Sequence, residues 1–262
     1  MKFFVVFVFG AVIGSFLNVC IYRIPLGKSI IRPRSHCPLC GKPVRALDNV
    51  PLLSFLLLKG RCRGCGGKIP VRYFVVELIT ALSGVILLWF FPEPPRFIGY
   101  SVFVCVLIMI TFIDLEHQLV PDVLSIPGIF AGLVFSAFFA DGRIGFSFSD
   151  LLGSLGGALA GAVSIFLMGI VGEAFFRQKA EKAGGAVGGG DLKLMAMIGA
   201  FLGWELVILT FFLAPFSGSV LGLYALIRKK SEVVAYAPHI ALGAFISLLW
   251  GNRIIGFLFP SV

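Results

Sequence analysis

Among the acidic residues in or near apolar stretches of this chain, six are candidates for chemistry: Glu77, Asp114, Glu116, Asp122, Asp191 and Glu205. A charge near hydrocarbon is costly, so acids placed there point to chemistry. Asp122 follows Pro121 at the head of an apolar run and reads well as a helix N-cap. Asp114 closes the run VCVLIMITFI, where the dipole of a helix C-terminus disfavours negative charge, and capping does not account for it. Asp191 follows three glycines and opens LKLMAM; alone, it is either an N-cap or a reactive group. Two carboxylates that share one site cannot both ionise freely, so one keeps a proton near neutral pH while the other stays charged. Asp114 paired with Asp191 would suit aspartic peptidase chemistry. The ionised member takes a proton from water, and the neutral member donates to a peptide carbonyl.

Four cysteines form a second constellation, CPLC at Cys37 to Cys40 and CRGC at Cys62 to Cys65. Gly41 and Gly66 follow the second cysteine of each pair and suit the tight turn of a knuckle that closes on a metal. Four thiolates make a closed tetrahedral site, so the expected ion is a structural Zn2+ held by Cys37, Cys40, Cys62 and Cys65. Two disulfides or four spare thiols are the alternatives. Cys20 and Cys105 lie in apolar spans and read as small buried hydrophobes.

The elements that must position these groups follow from composition. With 262 residues, 58% of them hydrophobic, a mean hydropathy of +1.01 and 13% charged, the chain carries more apolar surface than a water-soluble domain can bury. An all-α, polytopic membrane fold is expected, because spanning segments must satisfy their own backbone polar groups and no barrel alternation is present. About eight transmembrane helices are predicted, near 3–22, 73–91, 97–113, 123–140, 151–172, 192–204, 205–227 and 238–259, the division near Gly203 being the least marked. The first run contains Ser15 and Asn18 and lacks a small-residue cleavage pattern, so it reads as a mature helix.

Basic residues set the expected orientation. The stretch from Arg23 to Arg72 carries eleven lysines and arginines against Asp48 alone and should be cytoplasmic. Eight spans then also place Arg177, Lys179, Lys182, Lys193, Arg228, Lys229 and Lys230 inside, leaving Lys2, Arg96, Arg143 and Arg253 outside with both termini. The net charge of +9 is thereby assigned to topology and anionic lipid, with no nucleic-acid partner. This topology puts Asp114 and Asp191 at the cytoplasmic ends of the third and sixth spans. Gly188, Gly189 and Gly190 would let Asp191 hinge toward Asp114; a floppy loop is the competing reading. The apolar LLSFLLL at 52–58 is expected to rest against the bilayer.

The motifs GSFLNVCIYRIP (14–25), the two CxxC pairs, NVPLLSFLLLKG (49–60), VVELITA (75–81), FIDLEHQLVPD (112–122) and GGGDLKL (188–194) resemble, in order and spacing, the type IV prepilin leader peptidases. These are bifunctional membrane peptidases and N-methyltransferases. The resemblance covers about residues 10 to 243 and places the family's catalytic pair on Asp114 and Asp191. Asp122 then has a supporting role, and Gly188 and Gly190 are the fixed glycines of a GxGD motif. It implies removal of a basic leader from prepilins or pseudopilins at the cytoplasmic face of the bacterial inner membrane, typically between glycine and phenylalanine. Methylation of the new amino terminus from S-adenosylmethionine follows, and the cysteine loop is associated with that step. The implied domains are a first helix over 1–22, a zinc-binding loop domain over 23–72 and a peptidase domain over 73–262. A peptidase without methylation and an ion-coupled transporter are the alternatives.

Phe74, where many members have proline, and a long loop from Glu173 to Gly190 depart from the family pattern. Glu77 would help position the methyl donor or brace Arg72. His36, His117 and His239 are expected at the membrane interface without catalytic roles, and Trp204 and Trp250 as interfacial anchors.

Overall fold

The computed structural model describes residues 1–139, 142, 144–183, 188–227 and 235–259 and, of residues 46, 175–183 and 220–227, the backbone alone. Arg143, Arg228, Lys229, Lys230 and the start of the glycine-rich run at 184–187 lie outside the described residues. Among the described residues the fold is all-helical. Its elements are α1 (Lys2–Arg23), the short α2 (Leu53–Leu57), α3 (Arg72–Phe90), α4 (Pro94–His117), α5 (Asp122–Phe139), α6 (Phe148–Ala183), α7 (Gly189–Ile227) and α8 (Ala237–Leu258). Seven of these helices are long and apolar enough to cross a membrane. The chain divides into two compact units, Met1–Met109 and Ile110–Val262.

In the first unit α1 and α3 pack through small residues. Gly10 and Gly14 are four apart and share a face of α1, and a Cβ on Gly14 would stand 2.7 Å from the Cα of Glu77. The side-chain amide of Asn18 donates to the carbonyls of Gly14 (3.3 Å) and Tyr73 (3.0 Å), tying the helices together where apolar packing alone would let them slide. Phe74 stacks at 5.4 Å on Phe55 of α2, so the residue that departs from the family pattern anchors the LLSFLLL turn to α3.

The second unit is built around α7. This element is broken at Gly203, whose φ of 81° and ψ of 176° suit only glycine. A Cβ on Gly161 of α6 would meet both the Met195 carbonyl and the Val207 side chain, and one on Gly157 both the Gly199 carbonyl and Gly203. Residues 195 and 207 therefore stand at one level of α6, and 199 and 203 at the next. The chain reverses at Gly203, and 204–227 runs back antiparallel to 189–202. The reversal falls where the sequence divides two spans, and it explains Glu205 as an exposed acid in the first turn of the second arm, a place the helix dipole favours. The first arm rises only about 21 Å, less than a hydrocarbon core of about 30 Å.

One expectation is corrected. The predicted loop from Glu173 is helical to Ala183, because EAFFRQKAEKA is composed almost wholly of good helix formers. His239, in the first turn of α8, is buried among its neighbours, and its Nδ1 lies 3.0 Å from the Ser217 hydroxyl.

Candidate active site

Asp114 stands one turn before the end of α4 and is 7% exposed. Its carboxylate Oδ2 accepts the N–H of Ala237, 3.0 Å away, at the first residue of α8. The dipole of α4 disfavours a charge there, but the N-terminus of α8 supplies the compensating positive end. Asp191 lies in the first turn of α7, where its N–H donates to the Gly188 carbonyl at 3.1 Å. The turn that carries Asp191 lies against Val120, six residues beyond Asp114 in the chain.

The neighbouring residues fix where α7 begins. A Cβ on Gly190 would stand 2.8 Å from the Cβ of Val120, so only glycine allows this turn to lie against the segment that precedes α5. A Cβ on Gly188 would reach 3.7 Å from Asp191 Oδ2, so the small residue also leaves space at the carboxylate. Asp122, at the head of α5, receives Lys193 Nζ at 2.6 Å, and both side chains are exposed. Asp122 thus links α5 to α7 two residues beyond Asp191. In the sequence Lys193 reads only as a topology determinant, and the Ala237 amide carries no side-chain signature at all. Proline at 238, inside the first turn of α8, is the one signal for a helix start there.

In the first unit the sulfurs of Cys37, Cys40, Cys62 and Cys65 lie within 4.8 Å of one another, with Cys37 and Cys65 at 3.9 Å. Tetrahedral Zn–S bonds of about 2.3 Å place sulfurs about 3.8 Å apart, and a disulfide needs about 2.05 Å, so the donor set fits a metal. Each knuckle is closed by its own backbone. Cys37 N–H donates to the Lys42 carbonyl (2.9 Å) and Cys62 N–H to that of Gly67 (2.8 Å), while Gly41 and Gly66 take φ of 68° and 70°. Four thiols in contact share their charge unequally. The N–H groups of Cys40 and Leu39 draw Cys37 down to about 7. Cys65, despite the Gly67 N–H at its sulfur, is pushed up to about 11 by burial and by the neighbouring thiols. A dication would relieve that conflict.

Glu77, 8% exposed, accepts the N–H of Leu52 at 2.8 Å. Leu52 has a φ of 63°, so this carboxylate holds a strained turn of the cysteine-bearing stretch onto α3.

Residues 8–91 match the Bacterial Peptidase A24 N-terminal domain and residues 101–223 the Type IV leader peptidase family. The chain is 34% identical to a prepilin leader peptidase/N-methyltransferase of Aeromonas salmonicida, over 97% of this chain and 92% of the relative. It is 33% identical to one of Pseudomonas aeruginosa, over 94% and 89%. A third, of Myxococcus xanthus, is 41% identical over 84% of this chain and 62% of its own. No solved structure matches the chain. With both domains matched in order over most of its length, this chain belongs to the type IV leader peptidase family.

Proposed function

We propose that this chain removes the basic leader of prepilins or pseudopilins and N-methylates the residue thereby exposed, typically phenylalanine. The observation that supports the reading is the hold of the Ala237 N–H on Asp114, in the same unit where the turn carrying Asp191 lies against Val120, six residues beyond Asp114; the two acids belong to two separate family motifs. The ionised member of the pair takes a proton from water, and the water oxygen bonds to the scissile carbonyl carbon. The protonated member gives its proton to the carbonyl oxygen. Collapse then breaks the C–N bond: the amine leaves with the proton first taken from water, and a hydroxyl of the diol returns a proton to the second carboxylate, which restores the singly protonated pair. The titration belongs to the pair, and the Ala237 amide keeps Asp114 in place throughout. Asp122 supports the site through Lys193, and Gly188 and Gly190 through the space they leave.

S-adenosylmethionine is the expected methyl donor, supplying an electrophilic sulfonium methyl group to the freed amine. The loop domain over 23–72 holds a structural Zn2+ on its four cysteines. Exposed Leu53, Leu56 and Leu57 beside Lys59 and Arg61 suit a surface that rests on anionic lipid. With the reversal at Gly203 the seven long helices supply eight runs. Together with the basic 23–72 stretch, this supports an inner-membrane protein with both termini outside and the dyad facing the cytoplasm.

The test is mass spectrometry of a prepilin-like substrate incubated with S-adenosylmethionine and purified wild type, Asp114→Asn or Asp191→Asn. Wild type should remove the leader and add one methyl group, and both folded variants should fail to cleave. Normal cleavage by either variant sinks the dyad. Cleavage without methylation by wild type would leave a peptidase alone.

A further inference from the structure

The N-terminus of α8 presents more to the two acids than the Ala237 amide. Tyr236 immediately precedes α8 in the chain. Its phenolic oxygen is buried and has no hydrogen-bond partner among the described residues. A buried O–H normally finds an acceptor, and leaving one unmatched is costly, so an unmatched donor beside a candidate active site points to a bond made when substrate is bound. Tyr236 stands close enough to Asp191 for that charge to bear on it. Burial and the Asp191 charge both hold its proton on, which keeps the phenol a donor.

Two described side-chain donors in this unit already have partners. Lys193 is engaged by Asp122, and the His239 ring by the Ser217 hydroxyl. The described titratable groups on the element ends nearest in sequence are Asp114, Glu116 and His117 at the end of α4, Asp122 at the head of α5, Lys193 on the helix of Asp191, and Tyr236 and His239 at the start of α8.

Resting on the Asp114–Asp191 dyad proposed above, we infer that Tyr236 is a positioning residue for cleavage: its phenol donates to the Asp191 carboxylate as the acids close on a substrate. Consecutive residues of one helix start would then serve both acids, Ala237 through its backbone and Tyr236 through its side chain. Because α8 holds Asp114 already, a bond from the adjacent phenol sets the distance between the acids. The phenol transfers no proton.

The experiment uses the full-length purified protein in detergent with a prepilin-type peptide, and measures kcat and KM from pH 5 to 9. Tyr236→Phe removes one O–H and keeps the ring. Its kcat should fall roughly tenfold to a hundredfold, the worth of a hydrogen bond to a charged group, with KM within about twofold. The acid limb of the kcat profile should move up by about one pH unit, because a donor that favoured the ionised carboxylate is gone. A fall in kcat with an unmoved acid limb, or no fall, overturns the inference. Asp191→Asn run in parallel separates the two claims. If it is inactive while Tyr236→Phe matches wild type, Tyr236 alone is wrong; if it cleaves normally, the dyad is wrong and Tyr236 falls with it. Should Tyr236→Phe fail to fold, a fluorinated tyrosine at position 236 provides a stronger donor of nearly the same shape. Its acid limb should move to lower pH, and an unchanged limb would again overturn the inference.

Discussion

The four cysteines and the two aspartates are both assembled from separate stretches of chain, but by different means. Each cysteine pair is shaped by bonds that span five residues, from Cys37 N–H to Lys42 and from Cys62 N–H to Gly67, and by one glycine in the left-handed region. Asp114 is held by an amide 123 residues away, and its meeting with Asp191 depends on how α4, α7 and α8 pack. Local backbone geometry builds the first site, and helix packing builds the second. The two should therefore fail separately.

The largest effect is expected from Asp114→Asn. Its side-chain oxygen can still accept the Ala237 N–H, so the fold should persist while cleavage falls roughly 1,000-fold or more. Zinc per chain, measured by elemental analysis, should not change; a parallel loss of zinc would show that the two regions are not independent.

The converse variant, Cys37→Ser with Cys62→Ser, should lose its zinc and expose the 24–71 stretch to limited proteolysis, with leader cleavage retained and methylation reduced. Acid should do the same to wild type. A thiolate at about 7 is stable above that pH and protonated below it, and Cys65 binds its proton more tightly still. Apparent zinc affinity in a chelator competition should drop at least about tenfold between pH 8 and pH 6. Zinc unchanged in the double variant would remove the metal assignment.

A smaller effect tests helix packing directly. Gly190→Ala places a Cβ against Val120 and must shift the start of α7, and a displacement of about 1 Å costs catalysis on the order of a hundredfold. Val120→Gly in the same chain removes the Cβ that the new methyl group meets and should restore much of the rate, which a simple folding defect would not allow. The smallest effect belongs to Lys193→Met. An exposed pair contributes about 1 kcal/mol at most, so the thermal midpoint should move by less than about 4 °C. A large loss of cleavage instead would give the Asp122–Lys193 pair a direct part in the chemistry.

Much of this architecture is legible in the amino-acid sequence. The knuckle glycines expected at 41 and 66 do take positive φ, since spacing within a tight turn is a local property. Two spans dividing near Gly203 are the sequence expectation and the structure breaks there, but the division is the least marked in the sequence because a kinked helix and a hairpin share one hydropathy pattern. For Glu77 the sequence suggests the methyl donor or Arg72 as a partner; the structure puts the Leu52 amide on it, a backbone group that no side-chain motif announces. The helix beyond Glu173 escapes a reading that takes polar composition for loop, although its residues favour a helix outside the bilayer as well as within it.

The sequence by itself determined an all-helical membrane protein, since hydrocarbon forbids unpaired backbone groups, and it determined the thiol cluster, whose ligands come in short local turns. Only the tertiary structure decided which helix start would face Asp114, which residue would stand behind Gly190, and where Tyr236 would leave its hydroxyl. Those depend on the packing of apolar surfaces that look alike in sequence, and on backbone amides that every residue but proline carries.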